Sequence, residues 1–117
     1  MNIGELARQV GVAPSKLRFL EASGLLKPQR LANGYRSYGE ASVELTRTIL
    51  QAQSFGFTHS EISAAFLESG GRKLRCDLAI KALQSKLGEL DVHMKQVRAL
   101  RARIRKSIAE LEQRRAA

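Results

Sequence analysis

From Cys76 to Leu111 the apolar residues of this 117-residue chain return at intervals of four and three: Cys76, Ile80, Leu83, Leu87, Leu90, Met94, Val97, position 101, Ile104, Ile108 and Leu111. An unslipped 4-3 spacing over about five heptads is the seam of a coiled coil. A helix over 76–112 would run roughly 55 Å at 1.5 Å per residue, and the remaining residues cannot build a domain long enough to cover it. A second copy of the chain is the simplest cover. The expected homodimer buries Ile80, Leu83, Leu87, Leu90, Met94, Val97, Ile104, Ile108 and Leu111, and the spacing leaves parallel and antiparallel pairing open. Arg101 alone breaks the apolar rule, tolerable if it snorkels to solvent or meets a carboxylate across the dimer. Gly88 weakens the helix by about 1 kcal/mol relative to Ala without moving the register.

A net charge of +9 points to an anionic partner, most often nucleic acid for a chain this basic. The charge is unevenly spread. Residues 1–36 carry six Lys/Arg against two acids, residues 37–71 one against four, and residues 72–117 thirteen against five. The largest excess therefore lies on the presumed helix, where a solvated charged face explains it equally well. Cys76 is the only cysteine, so no internal disulfide can form, and a cytoplasmic protein is expected. No apolar run approaches the roughly 20 residues that span a membrane.

The N-terminal part reads as short helices with clear punctuation. Ile3, Leu6, Ala7 and Val10 make the stripe of an amphipathic helix that Gly11 ends. Pro14 can open a second helix at its first position, with Leu17 and Leu20 facing inward and Ser23-Gly24 closing it. Two such helices joined by a tight turn match the helix-turn-helix unit, whose second helix enters the major groove. Asn33-Gly34 is a strong turn signal, so Arg30–Tyr38 is expected to form a small β-hairpin, a wing. A third helix is expected from Gly39 or Glu40 to about Ser54, with Val43, Thr46, Leu50 and Phe55 on its apolar face. Thr58 and Glu61 form a capping box for a fourth helix over about 60–68 that buries Ile62, Ala65 and Phe66. Gly70-Gly71 breaks the chain. The expected organisation is a DNA-binding domain over 1–71 and a dimerisation helix over 72–117, in an all-α fold with one small hairpin.

Six phrases in fixed order then carry a resemblance: Ile3-Gly4-Glu5-Leu6-Ala7, Gly11-Val12, Leu17-Arg18-Phe19, Gly24-Leu25-Leu26-Lys27-Pro28, Asn33-Gly34-Tyr35-Arg36-Ser37-Tyr38 and Gly56-Phe57-Thr58. Together they resemble the MerR family of bacterial transcription regulators over essentially the whole chain. The resemblance implies a winged helix-turn-helix domain, an antiparallel dimerisation helix and a dimer on a promoter palindrome. It also implies activation by twisting and bending an overlong promoter spacer so that RNA polymerase engages both elements, a use of DNA deformability as well as base sequence.

The resemblance places Arg18 at the backbone or groove edge, where its planar fork suits phosphate or guanine. Ser15 and Lys16 could add contacts near the same helix N-terminus. Tyr35 and Arg36 match the wing pair that presses on the DNA backbone; Tyr38 is either a further contact or packing. Phe19 stands where many members carry an aromatic residue followed by another, but here Leu20 follows; without a hydroxyl, Phe19 is expected to pack against sugar or core. Ala13 replaces the capping Ser or Thr, an absence Pro14 offsets only in part.

Cys76 matches the first cysteine of metal-sensing members, which place two more in a loop after the helix; no second cysteine follows here, and a short form without that loop is expected. His93 would lie roughly 25 Å along the same helix, too far to share a metal, and His59 is the other candidate, at a distance the sequence leaves open. Three readings stay open for Cys76: a metal ligand shared with the partner chain, an oxidation sensor, or a small buried seam residue. No metal site, cofactor or catalytic constellation is expected, so an enzyme is not. The leading expectation is a sequence-specific dimeric regulator with an unidentified effector. The alternative is an architectural DNA-binding or coiled-coil assembly protein, separable by its lack of preference for a palindrome.

Overall fold

The computed structural model describes residues 1–70 and 74–117. The expected break at Gly71 and the boundary expected between residues 71 and 72 lie at or against the residues outside that range. The fold is mainly helical with one two-stranded hairpin and a long C-terminal helix. In chain order come α1 (Ile3–Val10), α2 (Pro14–Ala22), β1 (Gln29–Arg30), β2 (Arg36–Ser37), α3 (Glu40–Ser54), α4 (His59–Glu68) and α5 (Cys76–Ala116). The chain divides into two compact units, Met1–Arg75 and Cys76–Ala117.

Local chemistry sets the helix ends in the first unit. Asn2 caps α1 by accepting from the Glu5 N–H at 2.9 Å. Gly11 closes it at φ 77°, a left-handed conformation that costs glycine little and other residues more. Ala13 offers α2 no side-chain cap, and Pro14 opens the helix where its missing N–H is no loss. At α4 the capping box closes: the Glu61 N–H donates to Thr58 Oγ1 at 3.2 Å, and the Thr58 N–H donates to Glu61 Oε1 at 2.9 Å.

One core fills the first unit. Leu6 and Ala7 of α1, Leu17 and Leu20 of α2, Leu26 and Tyr38 between helices, Val43 and Ile49 of α3, and Ile62 and Phe66 of α4 are all buried in it. The apolar face of α3 differs from the expected one. Ile49 is fully buried while Leu50 is only partly so, and Phe55 is 47% exposed at the helix end. The reason is that α3 packs against both α1 and α4, so its buried arc widens toward Leu45 and Ala52, which also touch the core. Thr46, buried on that arc, satisfies its hydroxyl by donating to the Ser42 carbonyl at 2.7 Å. On α4, Ala65 is only partly covered.

The second unit is the single helix α5, and none of its residues is buried. The nine seam residues from Ile80 to Leu111 are 42–61% exposed in the lone chain. Among the described residues, no helix is long and apolar enough to cross a membrane.

Candidate nucleic-acid interface

The wing is built from its turn outward. Gly34 takes φ 85°, the Tyr35 N–H donates to Asn33 Oδ1 at 3.1 Å, and the Leu31 N–H donates to the Tyr35 carbonyl at 2.8 Å. An Asn side chain bonding its own turn in this way is what makes Asn-Gly a turn signal. Below it, Gln29 pairs with Ser37 and Arg30 with Arg36 in antiparallel register. The foot of the wing is stitched to the start of α1: the Tyr38 N–H donates to the Met1 carbonyl and the Met1 amino group to the Tyr38 carbonyl, each at 2.8 Å.

This stitching, with α2 alongside, creates a groove of about 330 Å³ lined by Asn2, Ile3, Arg18, Gly34, Tyr35, Arg36 and Tyr38. Two of the expected contacts, Arg18 on α2 and Arg36 on the wing, therefore meet in one concavity although 18 residues apart in sequence. Tyr35 stands out at 73% exposed, and Ser15 and Arg18 are exposed on α2 with Lys16 partly covered.

For two residues left open by the sequence, the structure shows the surroundings. Tyr38 is 2% exposed and belongs to the core, which fits the packing alternative. Its hydroxyl donates to Glu21 Oε2 at 2.5 Å. Burial first, then the hydrogen bond and charge of Glu21, push that hydroxyl up to about 12, while Arg36 and Arg18 pull the other way. Phe19 is not a core residue: it is 56% exposed, its ring set edge-on to His59 of α4 at 5.5 Å.

Glu21 is the residue that sequence reasoning passed over. Its second oxygen, Oε1, receives Arg36 Nη1 at 2.7 Å, and the two side chains are 14% and 49% exposed respectively. One carboxylate thus ties the last turn of α2 to both the core end and the outer face of the wing. The available signal was an isolated acid three residues after Arg18 in an otherwise basic segment. Arg36 has further N–H donors in its fork, so this pairing orients the guanidinium without using it up.

Cys76 is exposed at the first position of α5. Among the described residues, no group of three His, Cys, Asp or Glu side chains comes together.

A family description for the MerR HTH regulatory proteins matches residues 1–68, and one for the MerR DNA-binding region matches residues 47–107. The regulator HmrR of Rhizobium leguminosarum bv. viciae is 31% identical over 102 residues, spanning 86% of this chain and 78% of that protein. CueR of Salmonella typhi is 29% identical over 103 residues, 86% of this chain and 74% of its own. Among solved structures, the lead(II) complex of PbrR691 from Ralstonia metallidurans CH34 superposes with a TM-score of 0.73 at 26% identity, covering 89% of this chain and 82% of that one. HiNmlR, a MerR family regulator lacking the sensor domain and bound to promoter DNA, shares the fold at a TM-score of 0.64 and 13% identity, over 84% and 75% of the two chains. The chain belongs to the MerR family of helix-turn-helix regulators. It is a DNA-binding regulator of transcription.

Proposed function

We propose that the chain acts as a cytoplasmic homodimer that reads a promoter palindrome and changes transcription by deforming the duplex for RNA polymerase, with no catalytic step of its own. The observation that carries this reading is the groove in which Arg18 of α2 and Arg36 of the wing converge beside exposed Tyr35. Arg18, with Ser15 and Lys16 nearby, addresses the major groove and its phosphate edge. Arg36 and Tyr35 press on the neighbouring backbone. Phosphate contacts of this kind fix position and affinity, whereas base edges and duplex shape supply sequence choice. Two such domains need two half-sites, and the exposed seam of α5 supplies the means of pairing.

The test is a pair of mobility-shift titrations at matched salt, one with a palindrome recovered from genomic binding and one with random duplex. A preference of about 10³-fold or more supports a regulator. Equal affinities would mean an architectural DNA-binding protein instead. Replacing Arg18 by Ala should weaken palindrome binding by about 1–3 kcal/mol; unchanged affinity would take that residue out of the interface.

A further inference from the structure

Charge divides α5 into two unlike halves. Residues 76–94 carry two Lys against three acids, and Lys86 Nζ pairs with Glu89 Oε2 at 3.0 Å. Between Asp91 and Glu110 no acid occurs, and Lys95, Arg98, Arg101, Arg103, Arg105 and Lys106 all fall inside that gap. These six are exposed, and none of them makes an ion pair among the described residues. Six positive charges over twelve residues, roughly 18 Å of helix, stand about 3 Å apart along the axis.

Two ordinary explanations of a basic helix do not reach this stretch. A solvated face mixes signs, because opposite charges three or four residues apart support a helix and like charges weaken it. Here Lys95 and Arg98, Arg98 and Arg101, Arg101 and Arg105, and Arg103 and Lys106 are all like pairs at those spacings. The helix dipole favours cations in the last turn only. Arg114 and Arg115 stand there, whereas Lys106 lies more than two turns earlier. A stretch that repels itself and has no carboxylate of its own is complementary to an external polyanion.

We propose that residues 95–106 of α5 form a second, sequence-independent contact surface for the phosphates of duplex DNA, in addition to the groove of Arg18 and Arg36. At about 100° per residue, Lys95, Arg98, Arg105 and Lys106 share an arc of about 100° that also holds Ala102 and Ala109 and no large apolar side chain. Val97, Ile104 and Ile108 lie on a different arc, so the basic stripe stays open when a second copy covers the seam, a point that rests on the homodimer reading. Duplex DNA is favoured over a lipid surface because an amphipathic helix holds a membrane through its apolar face, and here that face is taken by pairing. It is favoured over an acidic protein because phosphates recur about every 3.4 Å along a strand, close to the spacing of these cations, and because guanidinium forks engage phosphate bidentately.

Salt titrations of the full chain test this, with a palindrome recovered from genomic binding and a random duplex of equal length. Four neutralised phosphates contribute about 3–4 units to the slope of log affinity against log salt. The variant Lys95→Gln/Arg98→Gln/Arg105→Gln/Lys106→Gln should therefore bind both duplexes with a slope flatter by up to that amount, and at least about tenfold more weakly at low salt. Its ratio of palindrome to random affinity should match that of the native chain, because phosphate contacts carry no sequence information. Arg98→Lys/Arg105→Lys, which keeps the charge, should keep the native slope. If the quadruple variant loses helix by circular dichroism, the half-variants Lys95→Gln/Arg98→Gln and Arg105→Gln/Lys106→Gln replace it, each expected to flatten the slope by about two units. Slopes equal to the native one in the Gln variants would overturn the proposal, as would a flattened slope in the Lys variant. Binding to vesicles of phosphatidylserine and phosphatidylcholine that the Gln variants lose, with their DNA slopes unchanged, would put a membrane in place of DNA. Equal native affinities for the two duplexes would remove the regulator reading and leave this surface standing, so the two failures are distinguishable.

Discussion

The carboxylate of Glu21 receives the Tyr38 hydroxyl on one oxygen and the Arg36 guanidinium on the other, so residue-level behaviour of the interface converges on it. The Tyr38 hydroxyl, raised from 10.0 to about 12, holds its proton more tightly folded than unfolded. Its contribution is therefore intact below pH 10 and is lost as the pH climbs through 12. Urea unfolding of the native chain and of Tyr38→Phe across pH 9–12 should show curves that converge as the pH rises; curves that stay parallel would refute the assignment. Arg36 acts outward. Arg36→Ala should flatten the dependence of log affinity on log salt by about one unit if the side chain neutralises one phosphate. An unchanged slope with reduced affinity would mean that Arg36 only supports the wing through Glu21.

At the level of elements, the capping box of α4 gives the simplest measurement. Thr58→Ala removes one of its two bonds and should cost about 1 kcal/mol in chemical denaturation. If α5 pairs as proposed, Leu87→Asp or Leu90→Asp should dissociate the pair, read as a fall to monomer mass in sedimentation and loss of palindrome binding; a variant that stays dimeric would show the seam to be misassigned. Much of this level was legible in the sequence, because helix ends are set by local chemistry. Gly11, Pro14, Asn33-Gly34 and Thr58 each fix a boundary through their own backbone or nearest neighbours, and the structure puts those boundaries where the residues place them. What escaped depended on contacts distant in sequence. Ile49 outranks Leu50 in burial because α3 is flanked by two other helices, Tyr38 turns inward because Glu21 awaits its hydroxyl, and Phe19 stays outside the core beside His59. No periodicity along a single segment contains that information.

For the whole molecule, mass action becomes part of stability. If folding and pairing are linked through a seam that is half-exposed in the lone chain, the thermal midpoint should rise with protein concentration. A midpoint constant from micromolar to millimolar would show that the seam contributes nothing to stability. Gly88 offers a gain by the same route, since nothing lies within 4 Å of an added Cβ there; Gly88→Ala should strengthen the helix by about 1 kcal/mol with the register unchanged. The charge pattern also reads differently at this scale. The basic excess is greatest beyond residue 72, whereas the arginines that converge on a groove, Arg18 and Arg36, lie in the first unit. Salt should therefore act on two distinct surfaces. The Glu21 junction gives this a mechanical sense: one charged strut joins the wing to the last turn of α2, so a load placed on the wing is passed to that helix. Added salt slackens the arm of that strut to Arg36, while the sheltered arm to Tyr38 stays taut.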